Sequence, residues 1–342
     1  MLYPLTFHPL FKERVWGGRK LETLFHKPLP PGRPYGESWE ISDRPGDVSI
    51  IANGSLAGRD LRWLMERYRD ELLGEAAALD GKFPLLVKIL DAQEKLSLQV
   101  HPPARLARGL GGEPKTEMWY FVAAEPDAEI FVGLKRGVTR AEFARKISDG
   151  TVAECFHRVA VRRGDAMFLP SGRVHAIGGG SVIFEIQQNS DTTYRVFDWN
   201  RAGLDGKPRE LHVEQSLVAI DFSDFEPALV VGQPQMPAVT KRQLVPEPLT
   251  AAQSVGSSDV PFRVELRRIV PNRPSECEFT IPVIVGVASG QFEVRSAGFT
   301  LALNAGQFAL LPACLRHAVF HAREAGEVLL ASPASIRKSN AA

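Results

Sequence analysis

Residues 164–177 read Gly-Asp-Ala-Met-Phe-Leu-Pro-Ser-Gly-Arg-Val-His-Ala-Ile. A glycine turn opens the stretch, an apolar run of strand length follows, and Pro170 ends it before the chain resumes at Val174 and His175. The pattern returns at 306–319, Gly-Gln-Phe-Ala-Leu-Leu-Pro-Ala-Cys-Leu-Arg-His-Ala-Val, where Gly306, Pro312 and His317 stand at the same offset from Gly164, Pro170 and His175. Strand, proline turn and histidine in one repeated order point to a duplicated unit. Two similar β-barrels in tandem follow from that reading.

Other short apolar or alternating runs surround these two: PLLVKIL at 84–90, KLSLQV at 95–100, MWYFVA at 118–123 and SVIFEI at 181–186. Glycine and proline are scattered between them, which describes a mainly β chain of many short strands. Helical spacing is confined to two places. Over 60–73, Leu61, Leu64, Met65, Tyr68 and Leu72 fall on one face. Over 139–149, Thr139 and Glu142 predict a capping box, Phe143 and Ile147 a buried side, and Gly150 a stop. Between 227 and 261 periodicity fades among Pro227, Pro234, Pro237, Pro246, Pro248 and Pro261, as in a connector. The expected division is a first unit over 1–230, a proline-rich connector over 231–260 and a second unit over 261–342.

At 342 residues the chain exceeds one comfortable hydrophobic core, in keeping with two units. Its formal net charge of +1 recruits neither nucleic acid nor a membrane surface. Cys155, Cys277 and Cys314 are odd in number, far apart and without a CxxC pair. That usage predicts a reducing, cytoplasmic setting rather than a disulfide framework. The first residues, MLYPLTFHPLFKERVWGG, lack the charged start, apolar core and small-residue site of a secretion signal. No apolar run approaches the ~20 residues of a membrane span.

The chemistry concentrates at 96–101, Leu-Ser-Leu-Gln-Val-His. In a strand Leu96, Leu98 and Val100 share one face while Ser97, Gln99 and His101 share the other. The apolar face backs onto packing, so the polar face looks into a cavity. Glu117 opens the apolar run EMWYFV, where a carboxylate is costly to bury without a partner. His175 follows the Pro170-Ser171-Gly172 turn. Gln99, His101, Glu117 and His175 together offer two imidazole nitrogens, a carboxylate and an amide oxygen, which suits a catalytic divalent ion with a position left for substrate. Zinc heads the expectation, with iron, manganese and cobalt compatible on ligand type. His317 has no such companions in its own half and is expected to be structural.

The order Gly-Asp-x5-Pro-x-Gly-x-x-His resembles the second cupin motif. LSLQVHPP with KTEMWYF, then GDAMFLPSGRVHAIGGG, then SVIFEIQQNSDTTYRVFDWNR resembles the type I mannose-6-phosphate isomerases, as do VWGGRKLETLF and GESWEIS nearer the start. With only about thirty residues between Val132 and Gly164, the similarity is to the short bacterial form. The resemblance implies two tandem cupin-like jelly-roll barrels with small helical additions, one divalent metal per chain, and a hexose phosphate as small-molecule substrate. It implies that mannose 6-phosphate and fructose 6-phosphate are interconverted through an enediol. It also implies Arg195 as the catalytic residue, with Glu185 and Lys115 beside it, and Lys88, Ser97 and Arg201 lining the sugar-phosphate pocket. A guanidinium stays protonated, so Arg195 suits charge stabilisation, and Glu185 or metal-bound water is the candidate base.

One departure stands out. Members of that family often carry a histidine, suggested for sugar ring opening, soon after the GE-x-W segment; here GESWEISDRPGD places Asp43 and Arg44 there. Two rival readings go with it: a metal cupin of other chemistry, such as an oxygenase or epimerase, and a sugar-binding cupin without turnover.

Overall fold

The computed structural model describes residues 2–76, 81–230, 240–245 and 260–335. It is mainly β, and apart from a two-stranded ribbon of Asp43–Arg44 with Asp47–Val48 its strands form two pairs of sheets. In the first pair, a six-stranded sheet runs in the order Leu10–Gly18, Tyr35–Ile41, Leu85–Ala92, Ser181–Gln188, Glu117–Ala124, Ala166–Leu169. Its companion runs Tyr194–Phe197, Leu98–Val100, His175–Ile177, Glu129–Leu134, Phe156–Ala160. All their pairings are antiparallel. Every apolar run read as a strand is one, although 95–100 pairs only over Leu98–Val100. Its entry is held instead by side chains, Trp199 Nε1 donating to the Leu96 carbonyl and Arg201 to that of Lys95.

The second pair repeats the first. A five-stranded sheet runs Thr240–Gln243, Phe262–Ile269, Gly326–Pro333, Val283–Ser289, Phe308–Leu311, and a four-stranded one runs Ser275–Glu278, His317–Ala322, Gln291–Ser296, Phe299–Asn304. The repeated motif falls at equivalent places. Ala166–Leu169 and Phe308–Leu311 both close the end of a sheet, and Gly164 and Gly306 both turn into them with positive φ. Even the register is kept: Leu169 faces Glu117 and Leu311 faces Val283, while His175 faces Gln99 and His317 faces Glu278. Valine thus stands where the first pair has its carboxylate, and Thr280, two residues after Glu278, stands where it has His101. His317 is half-exposed, 3.6 Å from Glu276.

Both helical readings hold, one with a correction. Thr139 accepts from the Glu142 amide and caps the helix Arg140–Ser148, with Phe143 buried. The segment 60–73 is two helices, Leu61–Arg67 and Arg69–Leu73, because Tyr68 leaves helical geometry and its ring turns back onto Trp63 at 5.6 Å. Within the stretch read as a connector, Thr240–Gln243 is a strand that pairs with Phe262–Ile269, and Leu244 and Val245 are buried. Pro234, Pro237, Pro246 and Pro248 lie outside the described residues.

The largest core cluster belongs to both pairs of sheets, joining Leu5, Leu85, Val87 and Phe184 to Phe262, Val264, Phe308 and Leu310. The ring centroids of Phe184 and Phe308 are 4.9 Å apart, and Leu5 exchanges both backbone hydrogen bonds with Leu310. Burial of one shared core couples the two halves thermodynamically. Phe308→Ala should therefore cost about 3–5 kcal/mol through its cavity while unfolding stays a single transition. Calorimetry checks this: two separated transitions in that variant would show that the halves are stable alone.

Candidate metal centre

Two transverse rows of side chains build the site. Across the six-stranded sheet, Trp39 faces Lys88, Lys88 faces Glu185, and Glu185 faces Trp119. Residues directly opposite in neighbouring strands project to the same side, so this row is a floor. Glu117 and Glu37, two residues from Trp119 and Trp39, share that side. Across the other sheet, Arg195 faces Gln99 and Gln99 faces His175, with His101 just past the strand end. Two glycines bring the first row close. A Cβ on Gly17 would meet the Gly36 amide at 2.3 Å, and one on Gly36 would meet the Trp16 ring at 2.5 Å. The VWGG and GES segments are thereby pressed together, and Trp16 lines the cavity.

His101, Glu117 and His175 converge between the rows, all buried, with one ligand atom from each lying within 4.8 Å of the others. His101 Nε2 is 3.3 Å from Glu117 Oε1, and His175 Nε2 is 3.4 Å from Oε2. The Nδ1 of His101 meets the Thr192 carbonyl at 2.8 Å, and that of His175 meets the Arg173 carbonyl at 2.9 Å. A carbonyl only accepts, so each Nδ1 carries the proton and each Nε2 turns its lone pair inward. Burial, then the Lys115 charge, holds the His101 pKa down to about 3. Burial lowers that of His175 as well. Glu117 is held well below the usual carboxylate range: burial opposes its ionisation, but the Lys115 charge, foremost among its neighbours, outweighs it. Two neutral imidazoles and a carboxylate are the protonation states metal ligation requires. Glu117 Oε2 and His101 Nε2 are buried without a hydrogen-bond partner, and Glu117 Oε1 is met by the Lys115 ammonium. Buried acceptors left open on convergent ligands fit a divalent cation. The Gln99 carboxamide adjoins them, with Nε2 3.3 Å from His175 Nε2. A half-turn of that near-isosteric amide presents its oxygen instead.

The centre opens into a cavity of about 550 Å³ whose wall includes Lys88, Ser97, Gln99, Lys115, Glu185 and Arg195. Lys115 Nζ is 2.6 Å from Glu117 Oε1. Lys88 Nζ is 3.2 Å from Glu185 Oε1, and Trp119 Nε1 donates to Glu185 Oε2 at 2.8 Å. Burial disfavours the Lys88 charge, yet Glu185 and Glu37 outweigh it and raise its pKa. Burial, then the charge of Glu117, raises the Glu185 pKa. Arg195 is half-buried and anchored through Nη1 on the Glu210 carbonyl at 2.7 Å. Its buried Nε is without a partner.

Arg201 is placed differently. Its guanidinium is committed to Asp198, at 3.0 Å, and to the Lys95 carbonyl, and it does not line the cavity. Arg209, on the same Asp198 at 2.5 Å, does. Asp43 accepts from the Phe83 amide and pairs with Arg62, while Arg44 reaches Glu113; neither is on the cavity wall. Glu37, Arg14 and Arg209 line the cavity and Trp119 holds Glu185, and sequence reasoning named none of them. The alternation of Glu37 and Trp39 in a strand carried a readable signal. Arg209, from a loop, carried none.

The model of the phosphomannose isomerase type I catalytic domain matches residues 5–133. The probable mannose-6-phosphate isomerase GmuF of Bacillus subtilis is 34% identical over 316 residues, spanning 92% of this chain and 94% of its own. The mannose-6-phosphate isomerase ManA of the same organism is 36% identical over 90% of this chain and 93% of its own. A crystal structure of the mannose 6-phosphate isomerase from Bacillus subtilis superposes with a TM-score of 0.83 at 29% identity, covering 96% of this chain and 99% of that one. A zinc-bound mannose 6-phosphate isomerase shares the fold at a TM-score of 0.77 and 16% identity. Its repeated sheets, its His-Glu-His cluster and these near-full-length relatives make the chain a member of the type I phosphomannose isomerase family.

Proposed function

We propose that the protein interconverts mannose 6-phosphate and fructose 6-phosphate with one divalent ion, zinc first, held by His101, Glu117, His175 and Gln99. The observation that carries this reading is the buried triad with its Nε2 lone pairs and carboxylate oxygens turned to one point. When bound there, the ion supplies Lewis-acid polarisation of the sugar oxygens at the reacting carbons. Glu185 is the candidate base. Its raised pKa brings it toward the range of a useful proton carrier, and Lys88 and Trp119 fix its two oxygens. Arg195, directly across from Gln99, provides a fixed positive charge for the enediolate. Lys115 bridges the Glu117 carboxylate and the cavity, and Ser97 offers a hydroxyl to the sugar.

The pairing of the cavity's cations points to the position of the phosphate. Lys88 is held by Glu185 and Glu37, and Lys115 by Glu117. Arg209 lines the wall and shares Asp198 with Arg201, while Arg195 lines the wall with its guanidinium anchored on the Glu210 carbonyl; burial, then the Arg209 charge, lowers the Arg195 pKa. Those two guanidiniums on the cavity wall fit a phosphate dianion. Lys88 is then a holder of the base, and the role expected of Arg201 passes to Arg209. The sheet arrangement supports two tandem cupin-like barrels, with the metal in the first. The three free cysteines, and the absence among the described residues of any helix long and apolar enough to cross a membrane, support a cytoplasmic setting.

Chelation should abolish activity and a divalent ion should restore it, while His101→Ala and His175→Ala each lose most bound metal. Full metal occupancy in both variants, measured by elemental analysis, would sink the assignment. Arg195→Ala should keep fold and metal but lose about 10²-fold or more in kcat, with Arg195→Lys recovering only part because a point charge lacks the planar fork. Near-normal turnover in the alanine variant makes Arg195 structural. Arg209→Ala should raise KM for mannose 6-phosphate and leave the weak use of free mannose unchanged. An equal effect on both sugars would remove the phosphate role.

A further inference from the structure

The carbonyls that aim the two imidazoles belong to loops, those of Thr192 and of Arg173, and loops are the mobile parts of a fold. Each carbonyl is nevertheless pinned, and the pinning follows one design. On the His101 side, Arg44 Nη1 donates to Glu113 Oε2 at 2.5 Å and to the Asn189 carbonyl at 2.9 Å. The Glu113 amide donates to Thr192 Oγ1 at 2.9 Å, and Ser190 Oγ donates to the Glu113 carbonyl. Asn189 is tied in turn to the carbonyls of Phe83 and Asp43. Arg44 thus staples the loop carrying Thr192 to the loop that runs into Lys115 and Glu117.

On the His175 side, Arg173 makes a bidentate pair with Asp224, Nε to Oδ2 and Nη2 to Oδ1 both at 2.8 Å, and its Nη1 donates to the Phe168 carbonyl at 2.7 Å. The Asp221 amide donates to the Gly172 carbonyl, and the Gly172 amide to that of His101. The guanidiniums of Arg44 and Arg173 are each 16% exposed; Asp224 is as shielded as its partner, so that pair escapes most of the screening that weakens surface pairs, while Glu113 is 39% exposed and Arg44 is held also by the Asn189 carbonyl. None of Arg44, Glu113, Arg173 and Asp224 lines the cavity. Their charged groups are therefore turned toward the loops rather than the cavity wall.

We propose that Arg44–Glu113 and Arg173–Asp224 are twin positioning pairs for the metal centre. Each fixes the loop carbonyl that keeps one imidazole in its Nδ1-protonated form with Nε2 aimed at the ion. The proposal rests on the metal reading of the site and deepens it. Groups that orient a metal-bound histidine through its second nitrogen are worth about 10–100-fold in metal affinity.

The test is a chelator competition for zinc with the full-length protein, joined to the absorption spectrum of its cobalt-substituted form. Arg44→Met and Arg173→Met should each weaken metal binding by about 10–100-fold and change the cobalt bands. Arg158→Met is the control. It removes an equally well-formed bidentate pair, Arg158–Glu129 at 2.9 and 2.6 Å, that touches neither imidazole carbonyl, and it should leave both readouts as in the parent. If a methionine variant fails to fold, Glu113→Gln and Asp224→Asn keep a hydrogen bond but remove the charge, and several-fold weaker binding is then expected. Parental affinity and parental cobalt bands in folded variants of both pairs overturn the proposal. If instead His101→Ala and His175→Ala keep their metal, the metal reading itself fails.

Discussion

Glu117 lies wholly enclosed, and an ionised carboxylate at that depth costs several kcal/mol unless other charges and dipoles answer it. Much of the first pair of sheets is organised around that answer. Lys115 approaches one oxygen, the two imidazoles approach from the facing sheet, and none of the three is itself left exposed. Removing any one of them leaves the others with an unmatched buried polar atom, which is why such groups come as a set. The same arrangement that makes the carboxylate expensive to bury makes a divalent cation welcome beside it.

The second constraint is the pleat. With a period of two, a one-residue slip of any one of the three strands would send its own member of the row, Lys88, Glu185 or Trp119, to the opposite face. Trp119 ties the two halves of the site, its ring edge-on to His175 at 5.3 Å while its nitrogen holds Glu185. The proposed base and one proposed metal ligand are therefore both in contact with one indole, which is itself carried by a sheet strand.

How far the sequence disclosed this depended on whether the signal was local. Strand alternation placed Ser97 and Gln99 on the cavity face, the helix cap at Thr139 was readable residue by residue although the return bond from Glu142 did not form part of it, and His101, Glu117 and His175 followed from their flanking turns. Arg201 was carried over by resemblance, and its commitment to Asp198 and Lys95 depends on contacts no local pattern announces. Arg209 and Arg14 reach the cavity from a loop and from an outer strand, so their place is fixed by tertiary packing alone. The break at Tyr68 was hidden because the apolar spacing continues unbroken through it. The missing family histidine drew attention to Asp43 and Arg44. What those side chains do there was invisible until the loops they touch were seen side by side.

The kept register of the two pairs of sheets also bears on inheritance. In the first copy, Gln99, His101, Glu117 and His175 must resist change together. In the second, Glu278, Thr280, Val283 and His317 occupy the corresponding places, and Val283 is simply part of an apolar core. The same place in the sheet order thus carries a polar, convergent side chain in the first pair and, at Val283, a packing side chain in the second. A substitution in the first pair strikes a buried charged cluster, and its counterpart at Val283 strikes an apolar core, so one repeated pattern carries two different vulnerabilities.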